Sequence, residues 1–377
     1  MNKKIIRACT IPGSLEFVEP MLDNLKAEGY EVALLSAPGP EWSDFQKMHD
    51  NKCIIVPMER QISLTKDLKS LCQLVKLFLE EKPDMVHSMT PKAGFLCMIA
   101  AWLVGVPKRV HTFTGLVWPT AVGNKRRILM LTDKILCACA THIIPEGEGV
   151  KNDLENHITN KPMKVLGHGN CRGIDMDFWT KKNVDAESLG LGKEKKFNFL
   201  FVGRIVKDKG INELIDAFTA LHEKYNNIRL VIVGVMEESL DPISEQAKKQ
   251  ILTNPDIITV GHKSKEDLVK YYSASECFVF PSYREGFPNT PLEAGAVGLP
   301  CIATDINGSR EIIENNKNGI IIPSKDAKAL YNAMERMLID VEARHSMAKN
   351  ARKMVESKFE QKFVQKCLMD FYKEIFN

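Results

Sequence analysis

Strand-length apolar runs alternate with helix-length amphipathic segments from one end of this sequence to the other. The runs are continuously apolar rather than alternately apolar and polar, which indicates strands that are covered on both faces. Such strands, separated by helices, are typical of parallel, doubly wound α/β sheets. The predicted strands are Lys4–Thr10, Glu31–Ser36, Lys52–Met58, Asp84–Ser88, Lys108–Phe113, Thr141–Ile144, Met163–Leu166, Asn198–Val202, Arg229–Val233, Ile257–Val260, Cys277–Pro281, Pro300–Thr304 and Gly319–Ile322.

More than a dozen strands are too many for one ordinary sheet, and 377 residues exceed a single average domain. The stretch Arg172–Lys196 is polar, rich in glycine and without a strand pattern, so we place a hinge there. Two Rossmann-like domains are predicted, over residues 1–175 and 190–355. A last helical segment, residues 360–377, carries an apolar stripe that needs a partner surface. The stripe consists of Phe363, Val364, Leu368, Phe371 and Ile375.

Composition excludes several classes of protein. The chain has 51 Lys and Arg against 48 Asp and Glu, a net charge of +3, which is too small to indicate nucleic acid as the main partner. Ten cysteines without a CxxC pair fit a reduced cytoplasmic protein better than a disulfide framework. The longest apolar run, Ala93–Pro107, is shorter than the roughly 20 residues of a membrane span and predicts a buried helix. The N-terminal apolar stretch is too short and broken for a signal peptide.

The first chemical motif lies directly after a predicted strand, in Phe201-Val-Gly-Arg-Ile-Val-Lys-Asp-Lys-Gly210. Ligands of doubly wound sheets bind beyond the carboxyl ends of the strands, so we expect a site in the cleft between the two domains. Arg204 and Lys209 stand at such a strand end and before a helix, which favours a diphosphate site. A solvated basic loop is the alternative interpretation of the same pair.

The second motif is Tyr283-Arg-Glu-Gly-Phe-Pro-Asn-Thr-Pro-Leu-Glu293. Glu285 follows a predicted strand in a loop where it has no capping role, and a carboxylate there can accept hydrogen bonds from sugar hydroxyls. Thr290-Pro-Leu-Glu293 has the pattern of a capping box with proline at the first helical position, so Glu293 has a structural alternative. The amides near Asn289 and Thr290 are also suited to a phosphate.

Together the two motifs are specific. Gly203-Arg204 with Lys209-Gly210, followed by Glu285 and Glu293 with seven residues between them, resembles family 4 of the glycosyltransferases, retaining enzymes of the GT-B fold. The resemblance extends along nearly the whole chain, to members that extend lipid-linked bacterial surface glycans. It includes Thr10–Leu15, Met58-Glu-Arg60, Val86–Gly94, Gly115-Leu116, Leu166–Asp175 and Asp305–Glu311.

The resemblance implies a GT-B architecture, two Rossmann-like domains facing across a cleft, with a UDP-sugar held mainly by the second domain. Arg204 and Lys209 would face the diphosphate, Glu293 the ribose diol and Glu285 the hydroxyls of the donor sugar, and the loop at His262–Ser264 would border the base. Glu285, Arg204 and Lys209 are the implied catalytic residues. The implied donor-binding residues are Gly203, Arg204, Lys209, His262, Glu285, Gly286, Phe287, Asn289, Thr290 and Glu293.

The implied reaction transfers a hexosyl or N-acetylhexosaminyl group with retention, in the synthesis of capsule, O-antigen or a related glycan. The acceptor, a polyprenyl-diphosphate-linked or other glycan lipid, would lie against the first domain, and the last helix would pack back onto that domain. No cofactor and no metal are expected beside the UDP-sugar. The enzyme is expected in the cytoplasm, peripherally on the inner face of the cell membrane.

One position departs from the family pattern. Members often have His-Gly after the fifth strand, whereas the matching pair here is Thr114-Gly115, and the nearest histidine is His111. His111 either substitutes for the missing histidine or is only a strand residue. Ser14, His111, Thr114 and Gly115 are the candidates for contact with the donor sugar or the acceptor. His87 is more simply explained as a core histidine.

Other motifs leave alternatives open. Asp175-Met-Asp177 is a DxD pattern of the kind that holds a divalent metal elsewhere, but it lies at the hinge without a second carboxylate cluster. Lys125-Arg-Arg127, before Ile128-Leu-Met-Leu131, suits anionic lipid headgroups or simply begins a solvated helix. A UDP-sugar epimerase of the same fold and a non-catalytic nucleotide-sugar binding subunit are the alternative functions, and the missing His-Gly favours the latter.

Overall fold

A computed structural model describes residues 3–59, 63–238 and 241–377. It divides into two compact units, which we call the first and the second domain. The first domain holds the chain up to Gly173 together with Lys362–Asn377, and the second holds Ile174–Gln361. Arg60, in one of the family-like stretches, lies outside the described residues.

In the described part of the first domain, six parallel strands form one sheet in the order β3-β2-β1-β4-β5-β6. Neighbouring residues of the central strand face opposite cores, and both Ile5 and Ile6 are fully buried. Burial on both faces is the reason for the continuous apolar runs of the sequence. The strands are β1 Lys3–Ala8, β2 Tyr30–Ser36, β3 Lys52–Ile55, β4 Met85–Met89, β5 Lys108–Phe113 and β6 His142–Pro145.

Helices cover both faces of this sheet. One core contains buried side chains of the third to sixth helices, and the opposite core contains those of the first two. Within the described ranges, no helix combines the length and the apolar character that a membrane crossing needs. The helices are α1 Leu22–Ala27, α2 Glu41–Met48, α3 Leu64–Glu81, α4 Pro91–Leu103, α5 Gly123–Cys139 and α6 Glu148–His157.

The second domain repeats the same strand order. Its described residues form a parallel six-stranded sheet, β12-β11-β10-β7-β8-β9, in which β7 and β10 are the central neighbours. The strands are β7 Phe197–Val202, β8 Ile228–Val233, β9 Ile257–Thr259, β10 Cys277–Phe280, β11 Cys301–Thr304 and β12 Gly319–Ile322. Its helices are α7 Ile211–Lys224, α8 Glu245–Thr253, α9 Lys265–Ser273, α10 Asn289–Val297, α11 Ser309–Ile312, α12 Ala327–Ile339 and α13 Val341–Lys358, and they are followed in the chain by α14 Gln361–Phe376.

Helix α14 ends the chain but belongs, from Lys362 on, to the first domain. Its buried side chains complete the core on the face of the first sheet that α1 and α2 leave partly open. Tyr372 is fully buried and accepts a hydrogen bond of 2.8 Å from the guanidinium of Arg7, while Asn24 donates one of 2.8 Å to Gln365. Of the predicted stripe, Phe363 is partly exposed and the other four positions are buried.

The boundary between the domains lies at the start of the predicted hinge stretch, between Gly173 and Ile174. From Ile174 onward the polar stretch belongs to the second domain, because three apolar side chains anchor it there. Ile174, Trp179 and Leu191 are buried in the same core as β7, β8 and β10. The Ile174 amide also donates a 2.8 Å hydrogen bond to the carbonyl of Phe359, so the second domain extends beyond its predicted bounds of 190–355 at both ends.

One predicted strand is absent from the first sheet. Over Met163–Leu166 the structure has a single bridge, from Met163 to Ile143, and no strand. The chain then turns through Gly167, whose φ of +58° lies in the left-handed region. The pairing with β6 therefore covers a single residue, and the chain turns four residues later.

Candidate functional site

The candidate site of the second domain begins where β7 and β10 end side by side. These strands flank the point at which the strand order reverses, where doubly wound sheets bind ligands. Lys209 lies in the loop after β7 and Glu285 in the loop after β10. The Lys209 ammonium donates a hydrogen bond to Glu285 Oε1, and the two side chains are 18% and 17% exposed. The structure therefore brings together two charged residues that lie 76 positions apart in the sequence.

The two loops also touch through their backbones. Gly210 has φ +72°, and a Cβ atom at this position would lie 2.0 Å from the carbonyl oxygen of Pro281. Only glycine fits so close an approach in this conformation. Ser282, the next residue of the second loop, donates a 2.8 Å hydrogen bond to Glu285 Oε1. One carboxylate oxygen of Glu285 thus accepts from both loops.

Arg204, the other predicted cation, has a different carboxylate partner. Its guanidinium donates a 2.9 Å hydrogen bond to Oε2 of Glu237, which follows β8. The Arg204 side chain is 42% exposed, so it remains open to solvent on one side. Glu237 belongs to neither sequence motif, because a glutamate in a loop has no periodic signal.

Glu293 is a buried helical residue rather than a capping residue. The capping-box prediction is wrong because α10 begins at Asn289, after Pro288, so that Thr290 is its second residue and not its N-cap. Glu293 consequently lies more than one turn into the helix, where its side chain is buried. Its Oε2 lies 3.3 Å from the hydroxyl of Tyr272, which donates to it.

The remaining donor-site candidates lie around these loops. Gly286 and Phe287 are buried, and Phe287 packs against Phe359 with ring centroids 5.2 Å apart. His262 is exposed and follows β9. A 2.9 Å hydrogen bond from the Gly234 amide to the Gly261 carbonyl joins its loop to the loop that leads to Glu237. Gly203 lies between β7 and Arg204.

In the first domain, the equivalent strand ends carry neutral side chains. Thr10 follows β1 and Thr90 follows β4, and their hydroxyl oxygens are 2.7 Å apart. Thr90 has φ +68°, and the Ala93 amide at the start of α4 donates to Thr10 Oγ1 at 3.1 Å. Ser14 lies nearby in the chain, in a short 3₁₀ helix over Pro12–Phe17.

His111, Thr114 and Gly115 line a small pocket of about 30 Å³ beyond β5. His111 is buried, with Nδ1 2.8 Å from the hydroxyl oxygen of Ser88, and its burial lowers its pKa to about 3. A Cβ atom on Gly94 would lie 2.3 Å from the imidazole, so the ring is tightly enclosed. The structure places His111 as a neutral, enclosed histidine at the wall of this pocket.

His87 is likewise a buried histidine with two partners. Its Nδ1 lies 2.6 Å from the hydroxyl of Tyr372 and its Nε2 lies 2.8 Å from the hydroxyl of Thr112. Burial, followed by the nearby positive charge of Arg7, lowers its pKa well below the usual value. Both ring nitrogens are therefore engaged within the core.

The pocket beside His111 also contains a carboxyl group that was not among the predicted site residues. Asp133 of α5 lines it together with Trp118, and burial raises the pKa of Asp133 to about 7. The Trp118 indole partly offsets this shift, although its N–H makes no hydrogen bond of normal geometry with the described residues. Helical spacing is the sequence signal that could have identified Asp133, because this residue falls between Leu129 and Leu136 on the inner side of α5.

The DxD motif has a structural explanation. Oδ1 of Asp175 accepts hydrogen bonds of 3.0 Å from the amides of Asp177 and Phe178, which closes a local turn. Across the described part of the chain, no group of three His, Cys, Asp or Glu residues is suited to hold a metal ion.

Comparison with known proteins identifies the chain over its full length. Residues 13–167 match the model of the glycosyl transferase 4-like domain, and residues 184–354 match that of the glycosyl transferases group 1. The chain is 34% identical to the capsular polysaccharide biosynthesis glycosyltransferase CapM of Staphylococcus aureus, over 98% of this chain and 97% of CapM. It is 31% identical to the UDP-Gal:alpha-D-GlcNAc-diphosphoundecaprenol alpha-1,3-galactosyltransferase of Escherichia coli, over 89% of this chain and 87% of that enzyme.

The fold has a close match among solved structures. Anabaena Alr3699/HepE, solved in complex with UDP and glucose, superimposes with a TM-score of 0.81 over 99% of this chain and 100% of that chain, at 17% identity. At this identity the match shows the fold alone, two Rossmann-like domains of the GT-B type. With the two family models and the relatives that match nearly end to end, it follows that this protein belongs to the family 4 glycosyltransferases of the GT-B fold, in the group that builds bacterial surface glycans.

Proposed function

We propose that this glycosyltransferase moves a sugar, with retention, from a UDP-sugar to a lipid-linked saccharide in the synthesis of capsule, O-antigen or a related glycan. The observation that carries the proposal is the ion pair of Lys209 and Glu285 at the strand-order reversal of the second domain. It sets a cation and a carboxylate side by side, which are the groups that a diphosphate and sugar hydroxyls require.

In this reaction the bond between the anomeric carbon and the diphosphate oxygen breaks, and a bond from that carbon to an acceptor hydroxyl oxygen forms. The hydroxyl proton is taken up by the released diphosphate. Negative charge grows on the diphosphate as it leaves, and fixed positive groups stabilise it where it develops. Lys209, Arg204 and the N-terminus of α10 supply these positive groups, and Glu285 holds the donor sugar through its hydroxyls.

The other donor contacts follow from position in the same domain. Glu293 would accept from the ribose diol, and the exposed His262 with its loop would border the base. In the first domain, Ser14 and the pocket of His111, Thr114 and Gly115 are proposed to contact the acceptor or the donor sugar. These roles rest on placement at the carboxyl ends of the strands.

The choice of donor and acceptor rests on the named relatives. The Escherichia coli enzyme is named for UDP-Gal and for a diphosphoundecaprenol-linked acceptor. A relative in Campylobacter jejuni, 32% identical over 46% of this chain, is named for a diphospho-undecaprenol acceptor as well. Retention is what the resemblance to family 4 implies. We propose a UDP-hexose or UDP-N-acetylhexosamine as donor and a polyprenyl-diphosphate-linked saccharide as acceptor.

An acceptor anchored in lipid requires the enzyme at the membrane surface, and α5 supports a peripheral site on the cytoplasmic face. Ile128, Leu131 and Ile135 on this helix are all more than a third exposed. The exposed cations Lys125, Arg127 and Lys134 flank them, and Asp133, the single acidic residue of α5, lines the inner pocket instead. An apolar stripe bordered by cations suits an anionic lipid surface.

The first prediction concerns Glu285. Glu285→Gln should reduce turnover of UDP-sugar at least ~100-fold, about 2.7 kcal/mol of transition-state stabilisation, because the charge that holds Lys209 and the donor sugar is lost. The amide still accepts from Ser282, but the largely buried Lys209 loses its partner charge, so the melting temperature should fall and turnover should be compared per folded molecule. Glu293→Gln should instead mainly raise the KM for donor. Steady-state kinetics with thermal melts of each variant measure both effects.

Glu335 provides the matched control for this experiment. It accepts a 2.8 Å hydrogen bond from Lys224 in an ion pair of the same domain, away from the strand ends. Glu335→Gln should leave turnover unchanged. Near-normal turnover by Glu285→Gln would show that the proposed role of Glu285 is wrong.

The second prediction concerns metal ions. Because Lys209 and Arg204 already supply positive charge, turnover should survive excess EDTA, while Lys209→Ala should lose most of it without unfolding. Activity assays with and without EDTA, with circular dichroism of the variant, test this. Activity that EDTA abolishes and Mg²⁺ or Mn²⁺ restores, with an active Lys209→Ala variant, would contradict metal independence.

The third prediction concerns the membrane. The protein should sediment with vesicles that contain about 30% phosphatidylglycerol, and much less with vesicles of phosphatidylcholine alone. The reason is that each Lys or Arg near an anionic membrane surface contributes roughly 1 kcal/mol to binding. Replacing Ile128 and Leu131 with serine should weaken this binding at least tenfold. The matched control replaces Ile339 and Val341, which are 60% and 47% exposed in the second domain. Equal binding by both double variants would exclude α5 as the docking surface.

A further inference from the structure

Each residue of the segment Tyr283–Glu285 makes a hydrogen bond to α7 or to the turn before it. The Tyr283 amide donates a 2.8 Å hydrogen bond to the carbonyl of Asp208, the residue before Lys209. The guanidinium of Arg284 donates one of 3.0 Å to Oδ2 of the same aspartate. Asp208 and Lys209 therefore contact three consecutive residues of the opposite loop.

The side chain of Tyr283 adds a contact to the helix itself. Its hydroxyl lies 2.7 Å from both carboxylate oxygens of Glu213, in the first turn of α7. Burial and the charge of Glu213 raise the pKa of Tyr283, so the hydroxyl stays protonated and donates at neutral pH. The ammonium of Lys325 lies 4.9 Å from the centre of its ring, on the side of α12.

These contacts have a geometric consequence for Glu285. A loop carboxylate keeps one position only where its neighbours are fixed, and catalytic geometry tolerates displacements of well under 1 Å. Tyr283 is two residues before Glu285, and Glu213 stands on a regular helix rather than on a loop. The hydroxyl of Tyr283 thus ties the loop that carries Glu285 to a regular helix.

We propose that Tyr283 and Glu213 are positioning residues, whose hydrogen bond holds Glu285 against Lys209 in the geometry that sugar transfer requires. Neither residue is proposed to touch the donor. The proposal rests on the proposed role of Glu285, and it adds two residues that neither the sequence motifs nor the named relatives assign to the reaction.

The fourth prediction tests this hydrogen bond. Tyr283→Phe keeps the ring over which Lys325 lies and removes only the hydroxyl. We expect kcat to fall at least tenfold with the KM for donor changed less than threefold and the pH profile unchanged in shape. Hydrogen–deuterium exchange of the donor-free protein should speed up at least tenfold in the peptide that spans Pro281–Pro288.

Glu213 allows a rescue test. Glu213→Ala should behave like Tyr283→Phe, whereas Glu213→Gln keeps an oxygen that accepts from Tyr283 and should recover most of kcat. A role in folding alone would lower the melting temperature of Tyr283→Phe and leave kcat per folded molecule unchanged.

Tyr331 is the matched control. Its hydroxyl donates to Glu335 at 3.2 Å, and the ammonium of Lys328 lies 4.8 Å from its ring centre, so its two contacts are of the same kind as those of Tyr283. Tyr331→Phe, on α12, should change neither kcat nor exchange over Pro281–Pro288.

The two readouts separate failure of this proposal from failure of the proposed function. Unchanged exchange in Tyr283→Phe overturns the positioning role, and so does faster exchange with unchanged kcat. A wild-type protein that turns over no UDP-sugar overturns the proposed function, and the exchange comparison then still decides whether the hydrogen bond orders the loop.

Discussion

The ion pair between Lys209 and Glu285 is the interaction on which the proposed chemistry of the second domain depends. Each side chain is less than one-fifth exposed, so either charge alone would lose much of its hydration without compensation. Their attraction offsets that loss and joins the loops after β7 and β10. Arg204 pairs with Glu237, but its side chain is 42% exposed and keeps part of its hydration. The site thus holds two cations, each paired with a carboxylate, and the proposed diphosphate would share these cations with the carboxylates already in place.

The strand order explains why the pair forms at this point. Both sheets place their first and fourth strands side by side, which brings the loops after them together at one edge. In the second domain these loops carry Lys209 and Glu285. In the first domain the same positions carry Thr10 and Thr90, two neutral hydroxyl groups in contact. One scaffold is therefore used twice, with charge in one copy and neutral hydrogen-bonding groups in the other.

The sequence predicted the features that follow from periodicity and from loop position. Continuous apolar runs predicted both sheets, and loops placed after strands predicted that Lys209 and Glu285 lie at the same sheet edge. The pairing of Arg204 with Glu237 and of Tyr283 with Glu213 could not be predicted, because no sequence pattern singles out these two glutamates. The capping box failed because α10 begins at Asn289, two residues earlier than the pattern requires. The core position of Trp179 could not be predicted, because this residue lies in a polar stretch of the sequence. It is nearly fully buried.

A double-mutant cycle on turnover tests most directly whether Lys209 and Glu285 act as one unit. The cycle compares Lys209→Met, Glu285→Gln and the double variant with the wild-type protein, at saturating UDP-sugar. If the two residues act as one unit, replacing either one removes the contribution of both. We therefore predict that turnover falls at least ~100-fold in each single variant and falls no further in the double variant than in the worse single one. Independent losses that multiply to about 10⁴-fold in the double variant would contradict a catalytic ion pair.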